Sequence, residues 1–166
     1  MGFVELFKNQ NKRETGLHVG EAYIIWTQLV ARYDILEITQ FILSHANDTD
    51  FKVLVQRGLN NIVMSHIKRL EETMEHYQIP LPPRPPKSYP TPNNLEDARD
   101  EWMFRTIFSA SQTALLVHVK AINVSINDSV RAMFIDFLNQ ELHMYDSLVK
   151  YGKLKGWVRS GPQYKH

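Results

Sequence analysis

"IPLPPRPPKSYPTP", residues 79–92, contains seven of the eight prolines of the chain and lies almost at its midpoint. Proline fixes φ and has no N–H, so a dense run of prolines is stiff and extended. At a rise of ~3.1 Å per residue, such a segment spans roughly 43 Å, about the length of one long helix. We therefore predict that residues 79–93 cross from one end of a helical bundle to the other. A hinge between two domains and a ligand for aromatic-grooved peptide-binding domains are the alternatives.

Four stretches of helical periodicity flank this segment. Apolar residues recur three and four apart at about 18–45, 50–78, 95–124 and 128–152. The short breaks HANDTD and NVSIND predict that each pair of helices folds back as an antiparallel hairpin. Asp48 or Asp50 is expected to cap the second helix and Asn94 the third, while Gly152 is expected to end the fourth.

The length of the proline segment determines the direction of the third helix. A crossover as long as a helix makes the third helix parallel to the second, which is the topology of ferritin-like bundles. The prediction is therefore an all-α, ferritin-like four-helix bundle with one long Pro-rich crossover between helices two and three. Residues 1–166 are expected to form a single domain.

The composition excludes several classes of protein. The chain has 166 residues, of which 43% are hydrophobic and 22% charged, and a formal net charge of +1. The absence of cysteine excludes a disulfide scaffold and a thiolate zinc site. Balanced charge gives no overall field that would attract nucleic acid. No signal peptide is recognised, and no apolar run approaches the ~18 residues of a membrane span. We therefore expect neither a nucleic-acid nor a membrane partner.

Four polar residues fall on the apolar stripes of the helices: Glu21, His66, His118 and Glu141. A buried carboxylate is costly unless it is paired or bound to a metal. Di-metal bundles hold their ions with Glu-x-x-His motifs, yet no histidine in the chain has a glutamate three residues before it. The four residues are interpreted either as a polar core that fixes helix register or as a degenerate site for Fe, Mn or Zn.

Counting residues from the predicted helix ends places these four side chains at two heights along the bundle. Glu21 and His118 are expected at one height, level with Glu72, Glu75 and His76. His66 and Glu141 are expected at a second height, together with Ser111. The sequence therefore predicts two separate polar clusters.

The C-terminal stretch KYGKLKGWVRSGPQYKH, residues 150–166, is basic and aromatic. Lys153, Lys155, Trp157 and Arg159 are predicted to form a contact surface for an anionic partner. The alternative is that the positive charge complements the dipole of the preceding helix while Trp157 folds back over the end of the bundle.

Several stretches resemble one family. "LHVGEAYIIWTQLVARYD" (17–34), "SHIKRL" (65–70) and "NQELHMYDSLVKYG" (139–152) are similar to a ferritin-like Bacillus family of unknown function, a neighbour of the spore coat protein F family. Members of that family are sometimes labelled spore coat proteins. The resemblance implies a ferritin-like four-helix bundle from an endospore-forming bacterium. Since no signal peptide is recognised, the expected location is the cytoplasm or the spore coat. It also implies that Glu21, His66 and Glu141 form the polar core.

These observations lead to one main hypothesis and two alternatives. The main hypothesis is a non-catalytic structural or interaction protein of the spore coat or of sporulation, without a cofactor. Its expected partners are other coat proteins or further copies of itself. The first alternative is a metal-binding protein that uses Glu21, His66, His118 and Glu141. The second is a small-ligand sensor with a pocket beside those polar groups.

Overall fold

A computed structural model describes residues 16–86, 99–162 and 164. Within these residues the chain is helical and contains no strand, which confirms the predicted all-α four-helix bundle. None of the helices is both long and apolar enough to cross a membrane, as far as the described residues show. The helical segments are α1 (Val19–His45), α2 (Thr49–Gly58), a π-helical segment (Leu59–Val63), α3 (Met64–His76), α4 (Asp100–Val124) and α5 (Asp128–Lys155).

Three helices begin at side-chain caps. The Asp48 carboxylate accepts the backbone N–H of Phe51 at the start of α2, as predicted, and the Asn127 side chain accepts that of Val130 at the start of α5. His18 caps α1. Its side-chain Nδ1 accepts backbone N–H groups of the first turn, and the backbone N–H of His18 donates to the Glu21 carboxylate. The predicted cap Asn94 lies outside the described residues.

The second helix of the bundle is one continuous rod made of α2, the π-helical segment and α3. Within the π-helical segment the hydrogen bonds reach one residue further than in an α-helix, as in the bond from the Met64 N–H to the Leu59 carbonyl. Such a turn absorbs one extra residue and often lies near a functional site. Here it lies one turn before His66.

Polar contacts at the two ends establish the direction of the helices. The Asp100 carboxylate accepts the backbone N–H groups of Asn47 and Asp48, so α4 begins beside the turn between α1 and α2. At the opposite end, the Asn127 amide donates to the Tyr77 hydroxyl. The rod and α4 therefore run in the same direction, as predicted.

The first part of the proline segment lies along the outside of the bundle. Residues 79–86 are non-helical, Pro82 is buried, and Arg84 donates to the Glu71 carboxylate of α3 at 2.6 Å. Glu71 also accepts the hydroxyl of Tyr33 on α1 at 2.5 Å. Because residues 87–93 lie outside the described residues, the complete end-to-end crossover stays a prediction.

Two apolar clusters fill the interior. The larger cluster lies around Ile25, Leu70, Phe134 and Phe137, and the smaller one around Phe51, with contributions from Phe104 and Leu148. At ~25 cal/mol per Å² of apolar surface removed from water, this burial is the main favourable contribution to folding. The polar residues described below lie among these apolar side chains.

The end of α5 differs from the prediction that Gly152 would terminate it. The helix continues to Lys155 and ends at Gly156, whose positive φ of 71° is the left-handed conformation that glycine adopts at low cost. Gly152 is instead a buried point of close approach, since a Cβ there would collide with the Phe104 ring and the Val158 side chain. Glycine is needed at position 152 for packing and at position 156 for backbone conformation.

Candidate functional site

Four buried polar side chains, one from each helix of the bundle, meet in the interior. They are Arg32 of α1, His66 of α3, His118 of α4 and Glu141 of α5, with exposed fractions of 5%, 0%, 0% and 4%. Each occupies a core-facing position on its helix. The cluster therefore links all four helices through polar contacts inside an apolar core.

The Arg32 guanidinium is the centre of this cluster. Its Nη2 lies 2.6 Å from Glu141 Oε1 and 2.7 Å from His118 Nε2. A guanidinium can only donate hydrogen bonds, so His118 Nε2 accepts and the proton of this neutral ring is on Nδ1. Glu141 Oε1 is also 3.9 Å from His118 Nε2 and 4.0 Å from His66 Nδ1.

His66 is held by an amide on one side and by an aromatic ring on the other. Its Nε2 lies 3.1 Å from Gln140 Oε1, and because the amide oxygen accepts, Nε2 carries the proton. The imidazole stacks on Phe137 with ring centroids 3.8 Å apart. Nδ1 therefore keeps a lone pair, and it has no hydrogen-bond partner within the described part of the chain.

Burial and the neighbouring charges determine the protonation states of the cluster. Burial, reinforced by the positive charge of Arg32, lowers the pKa of His66 to about 3 and also lowers that of His118. Burial opposes ionisation of Glu141, but the positive charge of Arg32, whose Nη2 lies 2.6 Å from Oε1, and the polar rings beside it outweigh burial and lower the pKa of this carboxyl to about 2. At neutral pH the cluster consists of one cation, one anion and two neutral rings.

The structure separates Glu21 from the other three residues of the predicted polar core. Glu21 is 1% exposed, but it lies at the end of the bundle, where Oε1 accepts the backbone N–H groups of Ile126 and Asn127 at 2.8 and 2.7 Å. Its other oxygen accepts the N–H of His18. Glu21 therefore joins α1 to the turn between α4 and α5, and it contributes no ligand to the central cluster.

His118 belongs with His66 and Glu141, and the prediction that it lies level with Glu21 was wrong. That prediction started the third helix at residue 95. Because Asp100 contacts Asn47 and Asp48, residue 100 is the point on α4 that is level with the start of α2. His118 is then as many residues from that level as His66 is from Asp48, roughly 27 Å at ~1.5 Å per residue.

Arg32 is the residue of the cluster that the sequence analysis missed. The spacing of Ile25, Leu29, Arg32 and Leu36 is four, three and four, which puts Arg32 in phase with the apolar stripe. Tyr33 fits the same stripe and is also buried, its hydroxyl donating to Glu71. The sequence could have revealed Arg32, because it is a charged residue at a position where the helical spacing calls for an apolar one.

The three potential ligand residues meet one requirement of a metal site. Single ligand atoms of His66, His118 and Glu141 all lie within 4.8 Å of one another. Two imidazoles and a carboxylate form a ligand set suited to Zn²⁺, Mn²⁺ or Fe²⁺. In this arrangement, however, the Arg32 guanidinium contacts both Glu141 Oε1 and His118 Nε2.

A cavity of about 60 Å³ lies beside the cluster and is lined by side chains of both apolar clusters. Arg32, Glu141 and Ser111 supply polar groups to its wall. Ser111, which was predicted to lie level with His66 and Glu141, thus borders the same region. Its hydroxyl is buried and has no hydrogen-bond partner among the residues the structure describes.

The C-terminal residues predicted to form a contact surface fall into two groups. Trp157 packs against Phe51 and Phe104, with ring centroids 5.8 and 5.7 Å apart, and so covers the end of the bundle. Lys155 donates to the Asp48 carboxylate at 2.6 Å. Lys153 and Arg159 are exposed. Trp157 and Lys155 are therefore engaged within the chain, and a contact surface for an anionic partner stays a prediction.

Comparisons with known proteins agree with the resemblance found in the sequence. The chain is 23% identical over 158 residues to the uncharacterised protein YvdQ of Bacillus subtilis (strain 168), covering 92% of this chain and 91% of that protein. Its fold is similar to a crystal structure from Bacillus halodurans C-125 described as a "putative spore coat protein". For that structure the TM-score is 0.84 at 25% identity, covering 93% of this chain and 99% of the other. Residues 6–166 match the model of a family described as "Protein of unknown function (DUF3231)", and the chain belongs to that family.

Proposed function

We propose that the protein is a non-catalytic, ferritin-like helical bundle with a structural or interaction role in the spore coat or in sporulation. Support for the location comes from the similar Bacillus halodurans structure, whose description names the spore coat. Support for a structural role comes from the central cluster. Other coat proteins or further copies of this chain are the proposed partners.

The position of Arg32 carries this proposal. Glu141 Oε1 and His118 Nε2 are two atoms that could bind a metal, and the Arg32 guanidinium contacts both of them. The guanidinium supplies the positive charge that a buried carboxylate requires. Because the four side chains come from four helices, their contacts favour one register of each helix over its neighbours.

Location can be tested with a fluorescent fusion expressed in a sporulating Bacillus. We expect fluorescence around the developing spore and recovery of the fusion in the extracted coat fraction. The matched control is Glu72→Gln, which changes an exposed carboxylate of α3 and should leave the location unchanged. A fusion that stays in the mother cell and is absent from purified coats would contradict the proposal.

The proposed role needs no bound metal, and this expectation can be tested separately. Protein purified without chelators should contain far less than one equivalent of iron, manganese or zinc by elemental analysis. Stoichiometric metal that is lost in His66→Ala would overturn the structural interpretation.

Metal binding is the second candidate, favoured by the 4.8 Å grouping of His66, His118 and Glu141. It requires Arg32 to leave its present position. Arg32→Met removes the competing cation while keeping an unbranched apolar side chain, so this variant should bind Zn²⁺ far more tightly than the unaltered chain. If both proteins bind Zn²⁺ equally in a calorimetric titration, Arg32 does not occupy the site and the metal-binding function gains support.

A further inference from the structure

The cavity beside the central cluster has a mostly apolar wall that also carries a few polar groups. Leu59, Val63, Ile107 and Leu148 contribute to the wall, which receives side chains from all four helices of the bundle. The polar residues of the lining are Arg32, Thr39, Ser111 and Glu141. Ser111 is 8% exposed and its hydroxyl has no hydrogen-bond partner in the described residues, so the cavity contains an unused donor and acceptor.

Small residues keep this space open. Gly58, Ala110 and Ala114 all border the cavity, and Gly58 immediately precedes the π-helical segment. A Cβ at Gly58 would come within 2.9 Å of the Met144 methyl group, which also lines the cavity. Larger side chains at Ala110 and Ala114 would reduce the space in the cavity.

Charge and size restrict what could bind. Arg32 and Glu141 already neutralise each other at 2.6 Å, and the adjoining histidines are neutral, so a charged ligand would bring an unpaired charge into the core. About 60 Å³ corresponds to roughly four water-sized volumes, and therefore to a ligand of about four non-hydrogen atoms. The mostly apolar wall requires most of these atoms to be apolar, and the unpartnered hydroxyl of Ser111 provides for one hydroxyl group.

We propose that this cavity is a binding site for a short neutral alcohol of about two to four carbons. The hydroxyl group hydrogen-bonds to Ser111 Oγ and to the Glu141 carboxylate, and the carbon chain packs against Leu59, Val63 and Leu148. This site is independent of the proposed coat role, because occupancy and location are measured separately.

The full chain is titrated separately with ethanol, 1-propanol, 1-butanol and 1-hexanol. Binding is measured by methyl NMR. We expect saturable shifts of the Leu59, Val63 and Met144 methyl signals. The dissociation constant should fall about fourfold for each added methylene up to the size limit, and 1-hexanol should not bind. Ser111→Ala should weaken 1-propanol binding about fivefold, whereas the control Ser109→Ala, an exposed serine on the same helix, should have no effect.

Filling the cavity provides the second arm of the test. Ala114→Leu should abolish the saturable shifts, and circular dichroism establishes that this variant is folded. Ala110→Val makes a smaller change in the same wall and gives the same measurement if Ala114→Leu unfolds. Shifts that do not saturate, that continue to grow with 1-hexanol, or that survive both Ser111→Ala and cavity filling would overturn the proposal. The absence of a saturable shift with any alcohol would also overturn it, because the cavity would then hold only water.

Discussion

The Glu21 carboxylate accepts the backbone N–H of Asn127 at 2.7 Å and so joins the first turn of α1 to the residue that caps α5. The same oxygen accepts the N–H of Ile126. At the opposite end of the bundle, the Asp100 carboxylate accepts the N–H groups of Asn47 and Asp48. Each end is therefore closed by a carboxylate of one hairpin that binds the turn of the other hairpin.

Replacing Glu21 tests the first of these contacts. Glu21→Ala should lower the free energy of unfolding by about 3 kcal/mol, because buried backbone N–H groups lose their acceptor. Glu21→Gln should cost less, since its amide oxygen can still accept the same two N–H groups. Urea denaturation measures both changes, with Glu72→Ala on the exposed face of α3 as the control. Equal losses for Gln and Ala would show that the negative charge, and not the acceptor, is what matters.

Removing one member of the Arg32–Glu141 pair should be far more damaging than removing both. Arg32→Met leaves a buried, uncompensated carboxylate and should cost about 3–5 kcal/mol. The double variant Arg32→Met/Glu141→Leu should recover most of that loss, because a buried ion pair and an apolar pair of similar volume have comparable stability. Arg57→Met is the control, since Arg57 is exposed. A double variant no more stable than Arg32→Met would contradict the assignment of the loss to unpaired charge.

Stability should fall as the pH is lowered from about 6.5 towards 3. His66 has a folded pKa of about 3, so in this range the unfolded state binds a proton that the folded state does not. Glu141, with a folded pKa of about 2, adds a loss of the same sign below its ordinary value of 4.5. The expected slope is ~1.4 kcal/mol per pH unit for each proton taken up.

Denaturation in urea at a series of pH values measures this slope. His66→Phe should reduce the slope by up to ~1.4 kcal/mol per pH unit, the contribution of one proton. The reason is that the variant removes one of the buried rings that resist protonation. His143→Asn is the control, since His143 is exposed. If His66→Phe and the unaltered protein show the same slope between pH 4 and 6, the burial effect on His66 is absent.

Two glycines in the same helix end should respond differently to alanine. Gly152→Ala introduces a methyl group against Phe104 and Val158 and should cost about 2–3 kcal/mol through overpacking. Gly156→Ala meets no atom within 4 Å, so its cost of about 1 kcal/mol arises only from the positive φ. Thermal or urea unfolding of the two variants checks the order. A larger loss for Gly156→Ala would show that backbone conformation, and not packing, limits this region.

The sequence predicted the features that depend on local periodicity. The all-α bundle, three of the four helix starts to within a residue, and the burial of His66, His118 and Glu141 all follow from apolar spacing and capping residues. The grouping of those side chains was harder to predict, because it depends on how far each helix is shifted along its neighbours. The sequence analysis started α4 at residue 95 instead of Asp100, and this error of five residues was enough to place His118 at the wrong height along the bundle.

Arg32 and Gly152 illustrate a second limit. An arginine on a helix is ordinarily a surface residue. Arg32 can be buried because its guanidinium contacts Glu141 and His118. A glycine near a helix end usually marks the cap, but at position 152 it accommodates the ring of Phe104. In both cases the decisive partner lies on another helix and is far away in the sequence.

The π-helical turn at Leu59–Val63 has a consequence for insertions and deletions. Phe51, Val55, Leu59, Val63 and Ile67 are all buried although they are spaced strictly by four, a spacing that would drift around an uninterrupted α-helix. The wider turn takes up about 100° of that drift, so both halves of the rod present the same side to the interior. A chain one residue shorter here could therefore become an ordinary α-helix and still bury both halves, whereas one residue more would rotate His66 away from Arg32 and Glu141.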